Sequence, residues 1–494
     1  MPGCRSGAGG TAAAAAVLLL LVGPSPAHAA GYFLGTKGAR AAGRAGAFTV
    51  AADDLSAVMF NPAGLARLDS PWVLQVGNRV SYNGFDYTRA PTLDWGHLQA
   101  GLPPYVEFSP VHNRTPWQVA DPLIGLAGRF RDWGFALAAL APPGVGRQTF
   151  PLAGGQRYQM VGREAIMLNY SASVAWGIPD LLGVGVSLQW IHVPRLGYSL
   201  IIDANQSPAN AKPVSSELDM LAEVAGSDAF TPNAVVGAWF RPWPFLEVGA
   251  SGQVIPTAIK AKSRLTVTPQ AIDTGETVQL RRDGQPANDV SLHLPLPLTA
   301  RIGVRYLHQR GGRRWFDLEL NVGYESWSRV DRLTVATNGL TAFLMGQNLP
   351  LGTIAIDKRW RDTLSVHLGG DVIVVPGRVT LRAGVVHESA VAPRRMTAVD
   401  FVSGRQFGGA VGASVFAGRL EIAAAYEFRA VPAVVVSERE AGVYQQVPGS
   451  TCLAPYTDSA RCNARYLGQP SPAINAGRYS AFVHAASVDV LCRF

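Results

Sequence analysis

Phe316-Asp317-Leu318-Glu319-Leu320-Asn321-Val322-Gly323-Tyr324-Glu325 sorts its residues into two sets that do not mix. Phe316, Leu318, Leu320, Val322 and Tyr324 hold the even positions; Asp317, Glu319, Asn321, Gly323 and Glu325 hold the odd ones. Successive side chains of a strand point to opposite faces, so this period of two reads as a β-strand with one apolar and one polar side. A longer run repeats it. Leu292, Leu294, Leu296, Leu298, Ala300, Ile302, Val304 and Tyr306 alternate with His293, Pro295, Pro297, Thr299, Arg301, Gly303 and Arg305, which predicts an even face turned to hydrocarbon throughout. Residues 72–82, 364–374 and 379–386 divide in the same way.

Short connections rich in Pro, Gly or charge recur at 132–133, 179–182, 242–245, 308–314, 376–378 and 416–419. They alternate with long polar connections near 86–121, 145–162, 199–231, 270–288, 332–358, 391–405 and 437–476. Short turns on one side and long loops on the other are the arrangement of an outer-membrane barrel, and the intervening segments predict fourteen strands. The fold class is therefore all-β, a 14-stranded antiparallel transmembrane β-barrel. Closure also satisfies every backbone donor and acceptor in hydrocarbon. Turn positions suggest that Arg305 lies opposite Asp317, Arg301 opposite Asn321 and Asp371 opposite Arg382, pairs suited to lining a lumen with charge.

Composition agrees. Charged residues make up 16% of the 494 and glycine occurs 53 times, which speaks against a helix-rich soluble enzyme. The net charge of +8 is spread along the chain without basic clusters or interleaved aromatics, so nucleic acid is not an expected partner. Residues 1–29 combine Arg5, the apolar run Ala12 to Val22 and a closing Ala27-His28-Ala29, the three parts of a secretory signal peptide. Cys452 and Cys462 sit ten apart in a Pro/Gly/Ser/Asn-rich stretch and read as a disulfide in an oxidising compartment. A metal site is the rival reading, although no His or second Cys pair accompanies them. Phe482, His484, Ala486, Val488, Val490, Cys492 and Phe494 share one face of the last strand, ending on an aromatic residue.

Between the signal and the first strand, residues 30–71 lack strand alternation. They contain Gly31 to Gly38, Gly43-Arg44-Ala45-Gly46-Ala47 and the run Asp53-Asp54-Leu55-Ser56-Ala57-Val58-Met59-Phe60-Asn61-Pro62-Ala63-Gly64-Leu65. This segment resembles the N-terminal hatch of the FadL/TodX family of outer-membrane transporters for long-chain fatty acids and other hydrophobic compounds, whose Asn-Pro-Ala motif corresponds to Asn61, Pro62 and Ala63. Ala141-Pro142-Pro143-Gly144, Trp327-Ser328, Trp360-Arg361-Asp362-Thr363, Leu381-Arg382-Ala383-Gly384 and the ending from Asn475 to Phe494 also resemble family stretches. The doubled proline and Cys492 depart from the pattern.

The resemblance implies domains 1–29 (signal peptide), 30–71 (hatch inside the lumen) and 72–494 (barrel) in the Gram-negative outer membrane. It implies capture of a hydrophobic ligand, passage to an internal site, and lateral exit through a gap in the wall at a kinked third strand. No cofactor or metal is expected. Pro142 and Pro143 cannot donate ladder hydrogen bonds and, with Gly144, mark the expected opening, the other reading being a Pro-Gly turn into the next loop. Phe33, Phe60, Leu65, Phe230, Phe343, Leu344 and Met345 are apolar residues suited to line the path, or to ordinary packing under a loop. Arg301 is suited to a fatty acid carboxylate. Expected partners are a long-chain fatty acid or other hydrophobic small molecule, outer-membrane lipid and the outer-membrane assembly machinery, which reads terminal aromatic strands. An aromatic hydrocarbon is the alternative ligand. A lipid-acting barrel enzyme requires a nucleophile and base in mutual reach, and no His-x-Ser or Gly-x-Ser-x-Gly motif is present. A general porin or a structural barrel remains as a further class.

Overall fold

The computed structural model describes residues 36–93, 101–103, 105–142, 146–203, 219–270, 278–344, 347–401, 403–444 and 473–494. Fourteen strands form the barrel. They are β1 (Trp72–Arg89), β2 (Pro122–Phe130), β3 (Trp133–Leu140), β4 (Gly162–Ile178), β5 (Leu182–Asp203), β6 (Asp219–Trp243) and β7 (Leu246–Gln253, resuming at Ala258–Pro269). Then come β8 (Asp289–Pro295 and Thr299–Arg310), β9 (Arg313–Glu325, resuming at Arg332–Ala336), β10 (Ile354–Asp357 and Thr363–Val375), β11 (Val379–Glu388), β12 (Gln406–Ala417), β13 (Leu420–Val436) and β14 (Gly477–Arg493). Neighbours pair antiparallel, and β1 closes on β14 from Val73↔Arg493 to Arg89↔Gly477. Among the described residues no helix is long and apolar enough to cross a membrane.

On the last strand the even positions from Phe482 to Val490 face outward, as expected. The run from Leu292 to Tyr306 differs. Ile302, Val304 and Tyr306 are exposed on the outside, but Leu292, Leu294 and Leu296 are buried inside the barrel. Pro295 and Pro297 lack the N–H needed for a ladder, the strand breaks between its two pieces, and the inward parity inverts across the break. Several expected long loops are partly wall as well, since β5 continues to Asp203 and β6 starts at Asp219.

Polarity follows the surroundings. In the half near the short turns the inner face carries Glu247, Arg305, Asp317, Glu319, Asp371 and Glu421, all buried. In the half near the long loops the inner face is apolar, with Ile191, Val193, Ile259, Leu292, Leu294 and Leu333 in one cluster. Lipid surrounds the first half, so apolar residues point out; water surrounds the second, so they point in.

The register near Gly311 is also corrected. Arg305 pairs with Glu319 and Arg301 with Gly323, two positions from expectation, because a Gly311-Gly312 turn is followed by an irregularity between His308 and Gln309. Arg305 still reaches Asp317 diagonally at 2.8 Å. Asp371 does lie opposite Arg382, with 3.4 Å between them.

Inside the membrane half sits the segment before Trp72. It has two short helices, α1 (Ala39–Gly43) and α2 (Ala57–Phe60), and a 3₁₀ turn, Pro62–Arg67. Its Phe48, Leu55, Val58 and Leu65 pack with the wall residues Val73, Leu123, Leu140 and Leu491.

Candidate functional site

The Asn-Pro-Ala motif is a joint between this internal segment and the wall. Asn61 Oδ1 accepts from the Ala63 N–H at 3.2 Å, which caps the 3₁₀ turn that Pro62 begins. Asn61 Nδ2 donates to Thr49 O within the segment at 2.9 Å and to Ala238 O of β6 at 3.0 Å. The approach needs a glycine opposite, since a Cβ on Gly237 would stand 2.0 Å from Asn61 Oδ1.

The few charges of the segment are all anchored. Arg44 bridges three buried wall carboxylates, Asp317 and Asp371 at 2.8 Å each and Glu319 at 3.1 Å. Glu319 in turn accepts the Val50 and Ala51 N–H groups at 2.8 and 3.0 Å. Arg40 lies 2.7 Å from Asp53, Arg67 lies 3.1 Å from Glu247, and Lys37 is paired with Asp121. Burial resists ionisation of Asp53, but Arg40 outweighs it and holds this carboxyl down at about 2. Sequence reading did not single out these anchors. Their signal is that Lys37, Arg40, Arg44, Asp53, Asp54 and Arg67 stand in a segment made mostly of Gly, Ala and apolar residues.

Above this floor a cavity of about 140 Å³ opens. It brings together three of the residues singled out in the sequence: Phe60 from the floor, Pro142 from the end of β3 and Arg301 from β8. Met167, Ile191, Val235 and Leu296 supply apolar wall, and Asn169, Gln189 and Asn233 supply polar wall. The Arg301 guanidinium carbon stands 5.7 Å from the centroid of the Phe60 ring, a cation–π approach. Among the described residues its guanidinium makes no hydrogen bond and no ion pair within 4.0 Å. Its neighbours do have partners: Arg429 lies 2.7 Å from Glu427, Glu325 accepts from Trp327 Nε1 at 2.6 Å, and His367 Nδ1 meets Ala45 O at 2.7 Å. A half-buried cation whose guanidinium donates no hydrogen bond, with the carboxylates of Glu325 and Glu388 acting on it only at longer range, is suited to an incoming anion.

At Pro142 the wall is irregular. β3 pairs with β4 up to Leu140↔Asn169, and pairing resumes only at Arg147↔Glu164. Across this interval, of which residues 143–145 lie outside the described ones, the register shifts by two positions.

Other residues fall elsewhere. Phe230 is 64% exposed on the outer face, its ring tilted against Trp190 at 6.0 Å, so it does not line the interior; Pro232 and the shifted β5–β6 register turn that stretch outward. Leu65 belongs to the packed core under the cavity, and Phe343 receives the Arg281 guanidinium at 4.8 Å among the outer hairpins. Phe33, Pro143, Gly144, Met345, Cys452 and Cys462 lie outside the described residues, as does the side chain of Leu344. Cys492 is a free thiol. Among the described residues no three His, Cys, Asp or Glu side chains converge as a metal-binding group.

A closed fourteen-strand barrel of this kind has counterparts among known proteins. The profile of outer membrane protein transport proteins (OMPP1/FadL/TodX) matches residues 20–460. The chain belongs to this FadL/TodX family. Among solved structures, a Pseudomonas aeruginosa FadL homologue is similar at a TM-score of 0.71, with 18% identity over 94% of this chain and 100% of that one. The CymD monoaromatic hydrocarbon channel gives 0.56 with 15% identity over 92% and 97%. The Pseudomonas putida toluene transporter TodX gives 0.57 with 14% identity over 94% and 99%. At these identities the structures speak for the fold. No curated protein sequence matches the chain. FadL/TodX membership makes this an outer-membrane barrel for transport of hydrophobic compounds.

Proposed function

We propose that the barrel carries long-chain fatty acids, with the carboxylate held by Arg301 and the chain laid along the apolar wall of the cavity. The observation behind this reading is the guanidinium of Arg301, which makes no hydrogen bond among the described residues, in a cavity shared with Phe60 and Pro142. An aliphatic acid entering from the apolar upper lumen meets hydrocarbon-like walls first and its one charge-assisted partner at the bottom. Residues 30–71 then act as the hatch that blocks straight passage. The lateral exit is then placed at the register shift beyond Pro142, where neither Pro142 nor Pro143 has an N–H to give to a ladder. Movement is diffusive, down the gradient of dissolved ligand, without coupling to another reaction. In this reading residues 1–29 direct export and the aromatic end of β14 serves assembly.

A second reading has one observation in its favour. The cavity volume is close to the ~150 Å³ of an engineered apolar cavity that takes up benzene, which suits a single aromatic ring without rearrangement. Saturable binding of oleate and of toluene to the purified barrel, for the unaltered chain and for Arg301→Gln, separates the two. The fatty acid reading expects oleate affinity to fall about 10- to 100-fold in the variant, as for a lost charge-assisted pair, with toluene unchanged. Uptake of oleate by cells lacking the gene should fall in parallel. Unaltered oleate binding in Arg301→Gln rejects the carboxylate site, and absence of both binding and an uptake defect rejects transport.

A further inference from the structure

The inner wall carries a row of amide side chains that the carriage of plain hydrocarbon does not require. Asn169 of β4, Gln189 of β5, Asn233 of β6 and Gln253 of β7 stand on four successive strands, and Arg301 of β8 and Asn321 of β9 continue the row. All six line the same cavity. Gln189 lies directly opposite Asn233, and every other step is one diagonal. Ile191↔Asn169, Val235↔Gln253, Ser251↔Arg301 and Arg301↔Gly323 set the neighbouring members two positions apart. Diagonal neighbours on one face stand roughly 7 to 8 Å apart, so the row is a continuous polar track. From the Arg301 guanidinium it reaches Asn169, which pairs with Leu140 on the last rung before the register shift beyond Pro142.

Much of this track is not spent on bonds within the chain. Asn169, Gln189, Asn233 and Asn321 are each more than nine-tenths buried. Among the described residues, Asn169 Oδ1, Asn233 Oδ1 and both amide atoms of Asn321 have no hydrogen-bond partner. The orientation of Asn233 is fixed from the internal segment. The Val58 carbonyl can only accept, so it takes Gln189 Nε2 at 3.1 Å; Gln189 then turns Oε1 to Asn233, whose Nδ2 donates to it at 2.8 Å. That relay leaves Asn233 Oδ1 as an open acceptor in the cavity wall. A buried acceptor without a donor costs free energy, and a hydrocarbon chain laid over it supplies none. A hydroxyl does, since its O–H donates while its lone pairs still accept.

We propose that the preferred ligand is a long-chain acid with a hydroxyl along its chain, the hydroxyl read by Asn233 and Asn169 while Arg301 holds the carboxylate. The proposal rests on the fatty acid reading of this cavity. At ~4.8 Å per strand along the wall, β6 lies about 10 Å and β4 about 19 Å from β8, which sets both acceptors beside the middle and far part of a chain anchored at Arg301. An ether or carbonyl oxygen there would meet the two Oδ1 atoms lone pair against lone pair, so the site selects a donor. The track thus separates acids of equal length by a single O–H.

The test measures equilibrium binding of three acids to the purified full chain in detergent. They are oleate, ricinoleate, which adds one mid-chain hydroxyl to the same carbon chain, and the methyl ether of ricinoleate, which keeps the oxygen and loses its proton. Partition into an apolar wall alone would favour oleate over the more polar ricinoleate. The proposal expects the reverse, ricinoleate binding about tenfold more tightly, as for one buried hydrogen bond, with the ether no tighter than oleate. The double variant Asn169→Leu, Asn233→Leu exchanges both acceptors for apolar groups of similar size. In it ricinoleate affinity should fall about tenfold, while oleate, relieved of two unpaired amides, binds more tightly. Should that variant not fold, the ether comparison on the unaltered chain decides alone. Ricinoleate binding no tighter than oleate, an ether that matches ricinoleate, or a preference that survives in the double variant overturns the proposal and leaves the fatty acid reading standing. Saturable binding of none of the three acids overturns the fatty acid reading itself, and the proposal with it.

Discussion

Replacing Arg44 by Met tests whether the internal segment is held by charge. Arg44 is fully buried and its guanidinium serves Asp317, Asp371 and Glu319 at once. The three acids do not lose equally. Asp317 keeps Arg305 at 2.8 Å, and Asp371 keeps Arg382 at 3.4 Å. Glu319 keeps only the Val50 and Ala51 N–H groups, which belong to the segment itself. One buried carboxylate is thus left with no cation within 4.0 Å, Arg305 opposite it acting only at longer range, a loss of about 3 to 5 kcal/mol when a single partner of a buried pair is removed. Because Val50 and Ala51 hang on that same carboxylate, the cost falls on docking of the segment more than on the barrel, whose ladders stay intact. At ~1.4 kcal/mol per factor of ten, local opening should become at least 100-fold more frequent. Hydrogen exchange resolved at the Val50 and Ala51 amides measures it directly, and ion conductance in planar bilayers should rise with it. Arg44→Lys, which keeps the charge without the fork, should fall between. Exchange in Arg44→Met within threefold of the unaltered protein would refute the argument that this network anchors the segment.

Asn61→Ala removes three hydrogen bonds and should destabilise the docked segment by about 2 to 3 kcal/mol, whereas Gly237→Ala drives a Cβ into Asn61 Oδ1. The double variant should be less damaging than the sum, because Asn61→Ala removes the atom in conflict, and protease protection of residues 36–71 reports it. Asp53, whose carboxyl is held at about 2 by Arg40, contributes docking stability that is present above the ordinary value near 3.8 and lost as pH falls through 2. The part of the acid sensitivity lying between pH 4 and 2 should therefore shrink in Asp53→Asn, measured by the same exchange experiment. Trp360 packs edge-on against Trp327 and Phe401 at 5.3 and 5.4 Å in the upper lumen. Trp360→Ala should cost about 3 to 5 kcal/mol locally and raise exchange in residues 327–336, with the membrane half of β9 unaffected.

The sequence alone carried the strands, because a period of two is written residue by residue and turn chemistry separates one strand from the next. It also carried the short-turn side, since a tight turn depends on a local backbone property of proline and glycine. Which side of a strand meets lipid was not local. Leu294 and Ile302 hold equivalent places in one alternating run, yet one faces the lumen and the other the membrane, because the solvent outside the wall changes from water to hydrocarbon between them. Partnership of charges was likewise hidden. Asp317, Glu319 and Asp371 read as lumen-facing acids, but only the closed barrel brings them to Arg44, more than 270 residues away. The same closure leaves the Arg301 guanidinium beside Phe60 with no hydrogen bond among the described residues, and a chain of side-chain types cannot state which of its many arginines the fold will leave so.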